Sequence, residues 1–268
     1  MQPSRPFVLL LSLLAFASMV SAQPTSDVIT RMTIVQSKFG SGTIFSIDVD
    51  HREYWITAKH ILTGAKHSPY GTITAKSAAL SLLDPNAEHV RLIPVTFSVI
   101  DVGKDIDIVV LAPPAPLLSN PLPSANVASS AVIGADCEFL GFPSATGGAW
   151  KATLPDGKSY WMPYVKHCFV SAMPSGANAM ILDGVNNPGF SGGPVVTRTG
   201  PDQEIIAVVS GIVTEPAEVI PSAAPKKPPQ PHHKEKVDTN SGFIVAYYLD
   251  AAVKAINKNP IGPLRPSQ

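Results

Sequence analysis

The sequence has no excess of charge of either sign: 20 lysines and arginines stand against 20 aspartates and glutamates, for a formal net charge of +0. A chain so balanced projects no long-range field toward phosphates or an anionic membrane, so nucleic acid is not an expected partner. Charged residues are also scarce, at 15%, while apolar residues reach 45%. That excludes a disordered chain and predicts a sizeable core. Long apolar runs are missing after the first residues, so no later segment spans a bilayer. The first run itself is short: Arg5, then apolar residues over 7–20, then small residues ending at Ala22. About 14 apolar residues fall short of the roughly 20 that a membrane helix needs, and the three-part layout predicts a secretory signal peptide over 1–22. The mature protein is then secreted or periplasmic, with no membrane partner. Cysteine is almost absent, with Cys137 and Cys168 alone, an even count that in an exported chain predicts one disulfide.

What the chain has in plenty is proline, 27 residues of 268, which disfavours long helices. Short apolar or alternating runs lie between Gly, Pro, Asn and Asp at 33–35, 43–49, 54–57, 93–99, 106–111, 138–142, 167–172, 194–197, 205–213 and 242–247. This pattern predicts an all-β protein. Five prolines interrupt it at 112–124, read as a linker between an N-terminal unit over 23–111 and a C-terminal unit over 125–257. A second proline-rich stretch, 215–240, reads as a mobile surface loop. Leu249, Ala252, Val253 and Ile256 recur at helical spacing and predict one closing helix, before a tail over 258–268.

The sharpest local signal is Ser191, set in Asn187-Pro188-Gly189-Phe190-Ser191-Gly192-Gly193-Pro194. Residues without a Cβ let a turn aim backbone N–H groups at a developing negative charge and let a substrate approach. A glycine-rich turn that merely contains a serine is the plainer reading. Serine is a poor nucleophile at neutral pH, so catalysis needs a histidine to take its proton and a carboxylate to orient that histidine. His60 ends the apolar run Tyr54-Trp55-Ile56-Thr57-Ala58-Lys59. Asp107 leads straight into Ile108-Val109-Val110-Leu111, a run too apolar to face water, so its carboxylate needs a partner. Asp105 shares its face and competes for the role.

These segments resemble the trypsin-like serine peptidases of the chymotrypsin fold, and most of all their HtrA branch. Gly40-Ser41-Gly42-Thr43, Thr57-Ala58-Lys59-His60, Asp107 through Leu111, and Asp183 through Pro194 carry the likeness, in the order His, Asp, Ser. The resemblance implies two antiparallel six-stranded β-barrels with a short C-terminal helix and the triad His60, Asp107 and Ser191 between them. It implies an oxyanion hole from the N–H groups of Gly189 and Ser191, a polypeptide substrate, and no metal or organic cofactor. Val185, six residues before the serine, stands where basic-specific members carry an aspartate. With Asn186 and Ser210 it would line a primary pocket for small or medium apolar side chains. Two features depart from the family. Phe190 replaces the aspartate used in zymogen activation, and a side chain of that bulk would distort the oxyanion turn. The residues after the closing helix are too few for a PDZ module. Cys137 and Cys168 would bridge neighbouring strands of the second barrel. A catalytically inactive, peptide-binding barrel is the alternative function. His232, His233 and Glu235 read as a solvated loop rather than a metal site, and no feature fixes an oligomeric state.

Overall fold

In the computed structural model, residues 26–84, 87–118, 126–127, 131–144, 149–197, 203–218 and 236–265 are described. The expected signal peptide, residues 119–124 of the expected linker, and His232, His233 and Glu235 lie outside them. After a single helical turn α1 (Ser26–Ile29), six strands follow: β1 (Met32–Ser37), β2 (Gly40–Val49), β3 (Arg52–Thr57), β4 (Ser77–Leu83), β5 (Leu92–Asp101) and β6 (Val109–Ala112). They are joined in the order 1-2-3-6-5-4, and β1 pairs with β4 to close a barrel.

Alternation explains why β6 is buried at all four positions. Val109 and Leu111 face the barrel interior with Ile44, Trp55, Leu80 and Phe97. Val110 and Ala112 face outward, but against the other half of the molecule, with Phe45, Tyr54 and Ile56. Side chains on successive residues point to opposite faces, so a strand covered on both sides reads as an unbroken apolar run.

The C-terminal half contains β7 (Asn126–Val127), β8 (Asp136–Gly141), β9 (Trp150–Thr153), β10 (Ser159–Met162), β11 (Tyr164–Ala172), β12 (Ala179–Asp183), β13 (Pro194–Thr197), β14 (Glu204–Glu218) and β15 (Lys236–Tyr248). Strands β13, β8, β11, β12, β15 and β14 pair in that order, and β13 with β14 closes a second six-stranded barrel. Strand β7 adds in parallel to β14. Phe139, Val195 and Val209 fill this barrel, while their neighbours Leu140, Val196 and Val208 belong to the core between the barrels. The fold is therefore all-β, two closed antiparallel barrels, with helix α2 (His60–Thr63) at the active-site side and α3 (Asp250–Lys258) at the end. Ala252 and Ile256 bury the inner face of α3.

One feature meets the sequence reading and two go beyond it. Cys137 and Cys168 are directly opposed on β8 and β11, with Cα atoms 5.0 Å apart, and are disulfide-bonded. The stretch expected to be a mobile loop from 215 is paired structure at both ends: Glu215 through Glu218 are in register with Thr239 through Lys236, so β14 and β15 form a long ribbon. Proline is compatible with this because the neighbouring Glu215 carbonyl faces β15, where the Thr239 hydroxyl donates to it at 3.0 Å, so by alternation Pro216 turns its nitrogen away from that ladder; residues 219–235 lie outside the description. The tail returns to the first barrel. Leu264 bridges to Arg52, and Arg265 pairs with Asp48 at 2.9 Å and Glu53 at 2.7 Å.

Candidate active site

His60 opens helix α2 where β3 ends, and its ring and backbone both point at Asp107. The backbone N–H of His60 donates to Asp107 Oδ1 at 2.8 Å, and Nδ1 lies 2.6 Å from Oδ2. Asp107 is fully buried, its competitor Asp105 exposed. An ionised carboxylate only accepts, so Nδ1 carries the hydrogen and a neutral ring leaves its lone pair on Nε2. Nε2 has no partner among the described residues, and the ring keeps 28% of its surface open.

Asp107 takes a third donor. The Ser210 hydroxyl lies 2.5 Å from Oδ2, and Tyr70 brings its own hydroxyl to 3.4 Å from that of Ser210. Tyr70 stacks edge-on against Tyr247 at 6.0 Å. Burial, with Tyr70 beside it, holds the Tyr247 phenol far above its ordinary range. A buried carboxylate that accepts three hydrogen bonds is held in one position, which is what orienting a histidine requires.

Ser191 sits on the turn before β13. Its hydroxyl donates to the carbonyl of Ser210 at 2.9 Å. The N–H groups of Gly189 and Ser191 donate to no other described group. Those around them are engaged: Ser144 N–H holds the Pro188 carbonyl at 2.9 Å, and Gly193 N–H holds that of Phe190 at 2.9 Å. The turn forces Gly189 to φ +106, and a Cβ there would stand 2.2 Å from the Phe142 carbonyl oxygen; no other residue fits.

The first barrel reaches across to hold this turn. Thr43 N–H donates to the Ser191 carbonyl at 2.8 Å, and Thr43 Oγ1 donates to the Gly189 carbonyl at 2.7 Å while accepting from Phe142 N–H at 3.0 Å. Thr43 thus anchors the carbonyls of Gly189 and Ser191, on either side of Phe190, to the first barrel. Beneath His60, the fully buried Lys59 forms an ion pair with Asp101 at 2.5 Å, which is close but not aligned as a hydrogen bond. Its amine also donates to the carbonyls of Gly103 and Gly71.

No family model and no curated protein matches the chain. Among solved structures it is similar to the Rv3671c protease in an inactive form, at 16% identity and a TM-score of 0.47, over 90% of this chain and 98% of that one. A second inactive form of Rv3671c, from M. tuberculosis H37Rv, gives the same values. It is also similar to the HtrA-type protease AlgW with tripeptide, at 17% identity and a TM-score of 0.49, over 87% of this chain and 61% of that one.

The expected pocket residues part company. Ser210 is buried and bonded to Asp107. Asn186 is buried, and its carbonyl accepts from Asn240 Nδ2 at 2.9 Å, which ties the turn to the β15 ribbon. Val185, expected at the pocket floor, is 59% exposed instead. Its carbonyl accepts from Lys166 Nζ at 2.6 Å, at the surface. The same amine reaches Asn187 Oδ1 and lies 5.4 Å from the centre of the Phe190 ring; burial holds it below the ordinary lysine range. Phe190 does not crowd the oxyanion turn. It points into the second barrel, 5.2 Å from Phe139, in space opened by Gly141, where a Cβ would stand 2.7 Å from its ring.

Thr43, Tyr70 and Lys166 were not singled out by sequence. Thr43 had a signal, since it follows Gly42, whose absent Cβ would collide with the Ser191 carbonyl oxygen at 2.5 Å. Tyr70 and Lys166 had none, because their partners, Ser210 and Tyr247 for the one and Val185 and Asn187 for the other, are brought to them only by the tertiary fold.

Proposed function

We propose that this chain is a serine endopeptidase exported from the cell. One arrangement carries the reading: a buried, triply bonded Asp107 orients His60 and leaves its Nε2 without a partner among the described residues, while Ser191 is tied to the same carboxylate through Ser210. The hydroxyl of Ser191 leaves the Ser210 carbonyl by rotation about χ1 and gives its proton to Nε2 as Oγ attacks the peptide carbonyl carbon. The oxyanion is received by the N–H groups of Gly189 and Ser191, each such donor being worth about 3 to 4 kcal/mol. Protonated His60 then passes its proton to the leaving amine, and water attacks the acyl-enzyme with His60 again as base.

Before the scissile bond, small or medium apolar residues are the preferred class. No aspartate or glutamate side chain among Val185, Asn186, Asn187 or Ser210 through Ile212 offers a partner to a buried cation, and the Lys166 amine adds like charge nearby. Burying an unpaired lysine or arginine there costs several kcal/mol.

A second reading has one observation in its favour. Ser191 bonds to Ser210 rather than to His60, as in a barrel that binds peptide without cleaving it. A fluorophosphonate decides between them. The peptidase takes one adduct, mapped to Ser191 by intact and peptide mass; folded protein that takes none is a binding module.

A further inference from the structure

Lys166 puts a cation where the alternation of its strand calls for an apolar side chain. On β11, Cys168 and Val170 are buried in the second barrel. Residues two apart share a face, so Lys166 starts on that inner face, close to the end of β11 where Tyr164 pairs with Gly141. Lys166 is half-buried, and burial holds its amine below the ordinary lysine range. No described carboxylate contributes to that shift. A cation brought this far out of water is unfavourable unless its donors are used.

Its partners are neutral and belong to one segment. The amine donates to the Val185 carbonyl at 2.6 Å and to Asn187 Oδ1, and lies 5.4 Å from the centre of the Phe190 ring. Val185 and Asn187 precede the oxyanion turn, and Phe190 stands next to Ser191. The other ties on this segment are more local. On the β15 side, Gly184 N–H donates to the Gly242 carbonyl at 2.8 Å and Asn240 Nδ2 to the Asn186 carbonyl at 2.9 Å. Ser144 N–H holds the Pro188 carbonyl, and Thr43 holds those of Gly189 and Ser191. Of these ties, Lys166 alone joins residues before Pro188 to a residue after Gly189.

We infer that Lys166 is a positioning residue for the oxyanion turn: its ammonium draws Val185 and Asn187 against the Phe190 ring and so fixes the peptide planes at Gly189 and Ser191. This rests on the reading of Ser191 proposed above, in which those two N–H groups receive the oxyanion. Charge is what the place requires. A methionine fills a similar volume but leaves the Val185 carbonyl, the Asn187 amide and the Phe190 ring unconnected. An arginine still donates to two oxygens and lies against an aromatic face. The oxyanion donors act on charge that develops only in the transition state, so a loosened turn lowers kcat and leaves KM nearly alone.

The test compares the unaltered protein with Lys166→Met, Lys166→Arg, Asn187→Ala and, as a control at an exposed position of the same strand, His167→Ala. On a peptide p-nitroanilide ending in valine, Lys166→Met is expected to lower kcat about tenfold, short of the roughly hundredfold that loss of one oxyanion donor costs, with KM within about twofold. Fluorophosphonate labelling of Ser191 slows by the same factor. Lys166→Arg restores kcat to within about threefold, Asn187→Ala slows labelling about threefold, and His167→Ala changes neither. Hydrogen exchange locates the cause: in Lys166→Met, peptides covering 185–193 exchange about tenfold faster while those of β11 keep their protection. An unchanged kcat in Lys166→Met, or a raised KM with kcat intact, overturns the clamp. So does a methionine variant that loses protection across the whole barrel while Asn187→Ala labels at the full rate, since Lys166 then serves the barrel and not the turn. Failure of the catalytic reading has a different signature: exchange over 185–193 rises as described, but the unaltered protein neither takes a fluorophosphonate at Ser191 nor cleaves the peptide.

Discussion

Ser191 and Ser210 are linked head to tail: the hydroxyl of Ser191 donates to the carbonyl of Ser210, whose own hydroxyl donates to Asp107. One residue therefore holds both the proposed nucleophile and the carboxylate bonded to His60. Ser210→Ala keeps the carbonyl but takes a charge-assisted hydrogen bond from Asp107, of about 1.5 to 3 kcal/mol. The expected result is a fall in kcat of about tenfold or more, with fluorophosphonate labelling of Ser191 slowed and KM for short peptides little changed. A variant with a raised KM and an intact kcat would place Ser210 in the pocket alone.

Lys59 concerns stability. Its fully buried amine joins Asp101 to the carbonyls of Gly71 and Gly103, and those segments carry Tyr70 and lead into Asp107. Lys59→Met leaves a carboxylate without its cation, which typically costs about 3 to 5 kcal/mol. Chemical denaturation is expected to show a loss of that size. A loss below about 1 kcal/mol would mean that water already solvates Asp101.

The disulfide closes a loop with a sequence separation of 31, for which chain entropy predicts about 3.7 kcal/mol of stabilisation. Urea midpoints with and without reductant measure it, and two free thiols in denatured, unreduced protein would remove the bond from consideration.

Much of this fold was legible because the barrel strands that form the interface are apolar on both faces, as in Val109–Ala112. Strand β4, Ser-Ala-Ala-Leu-Ser-Leu-Leu, was not, since alanine and leucine favour helix and only pairing with β1 and β5 makes it a strand. Strand β12 was also missed, as five residues between loops, and the β9–β10 hairpin lies between the predicted runs 138–142 and 167–172. At the site, the residues proposed to do chemistry, His60, Asp107 and Ser191, sit in local sequence patterns. Those that hold them in place, Tyr70 and Lys166, act across long sequence separations and leave no local trace.

Four tyrosines give the molecule an alkaline limit. Burial raises the phenols of Tyr54, Tyr247 and Tyr248 above the usual value, and a hydrogen bond to Asp156 pushes Tyr160 up to about 12. In the unfolded chain all four ionise near pH 10. Above that pH the folded state holds more protons than the unfolded one, so stability is complete below about pH 10 and falls as pH rises toward the folded values. Absorbance at 295 nm should show these phenolates appearing late and together with unfolding. Early titration of all six tyrosines in a folded protein would contradict the burial.

Thr43 offers the most discriminating test of how the oxyanion turn is held. Its side chain donates to the Gly189 carbonyl at 2.7 Å and accepts from Phe142 N–H at 3.0 Å, both in a buried place where neither group can turn to water. Thr43→Val preserves shape and leaves both groups unpaired, at about 1 to 3 kcal/mol each. Part of that cost is relieved if the peptide after Gly189 rotates, which disturbs the donors on either side of it. The expected outcome is a drop in kcat of about a hundredfold, comparable to losing one oxyanion donor, with a smaller change in KM and a modest loss of stability. Thr43→Ser keeps the hydroxyl and should restore most of the rate, which a purely structural role for the methyl group would not allow. If Thr43→Val loses stability yet keeps kcat, the turn is held by its own glycines and by the Thr43 N–H bond to the Ser191 carbonyl.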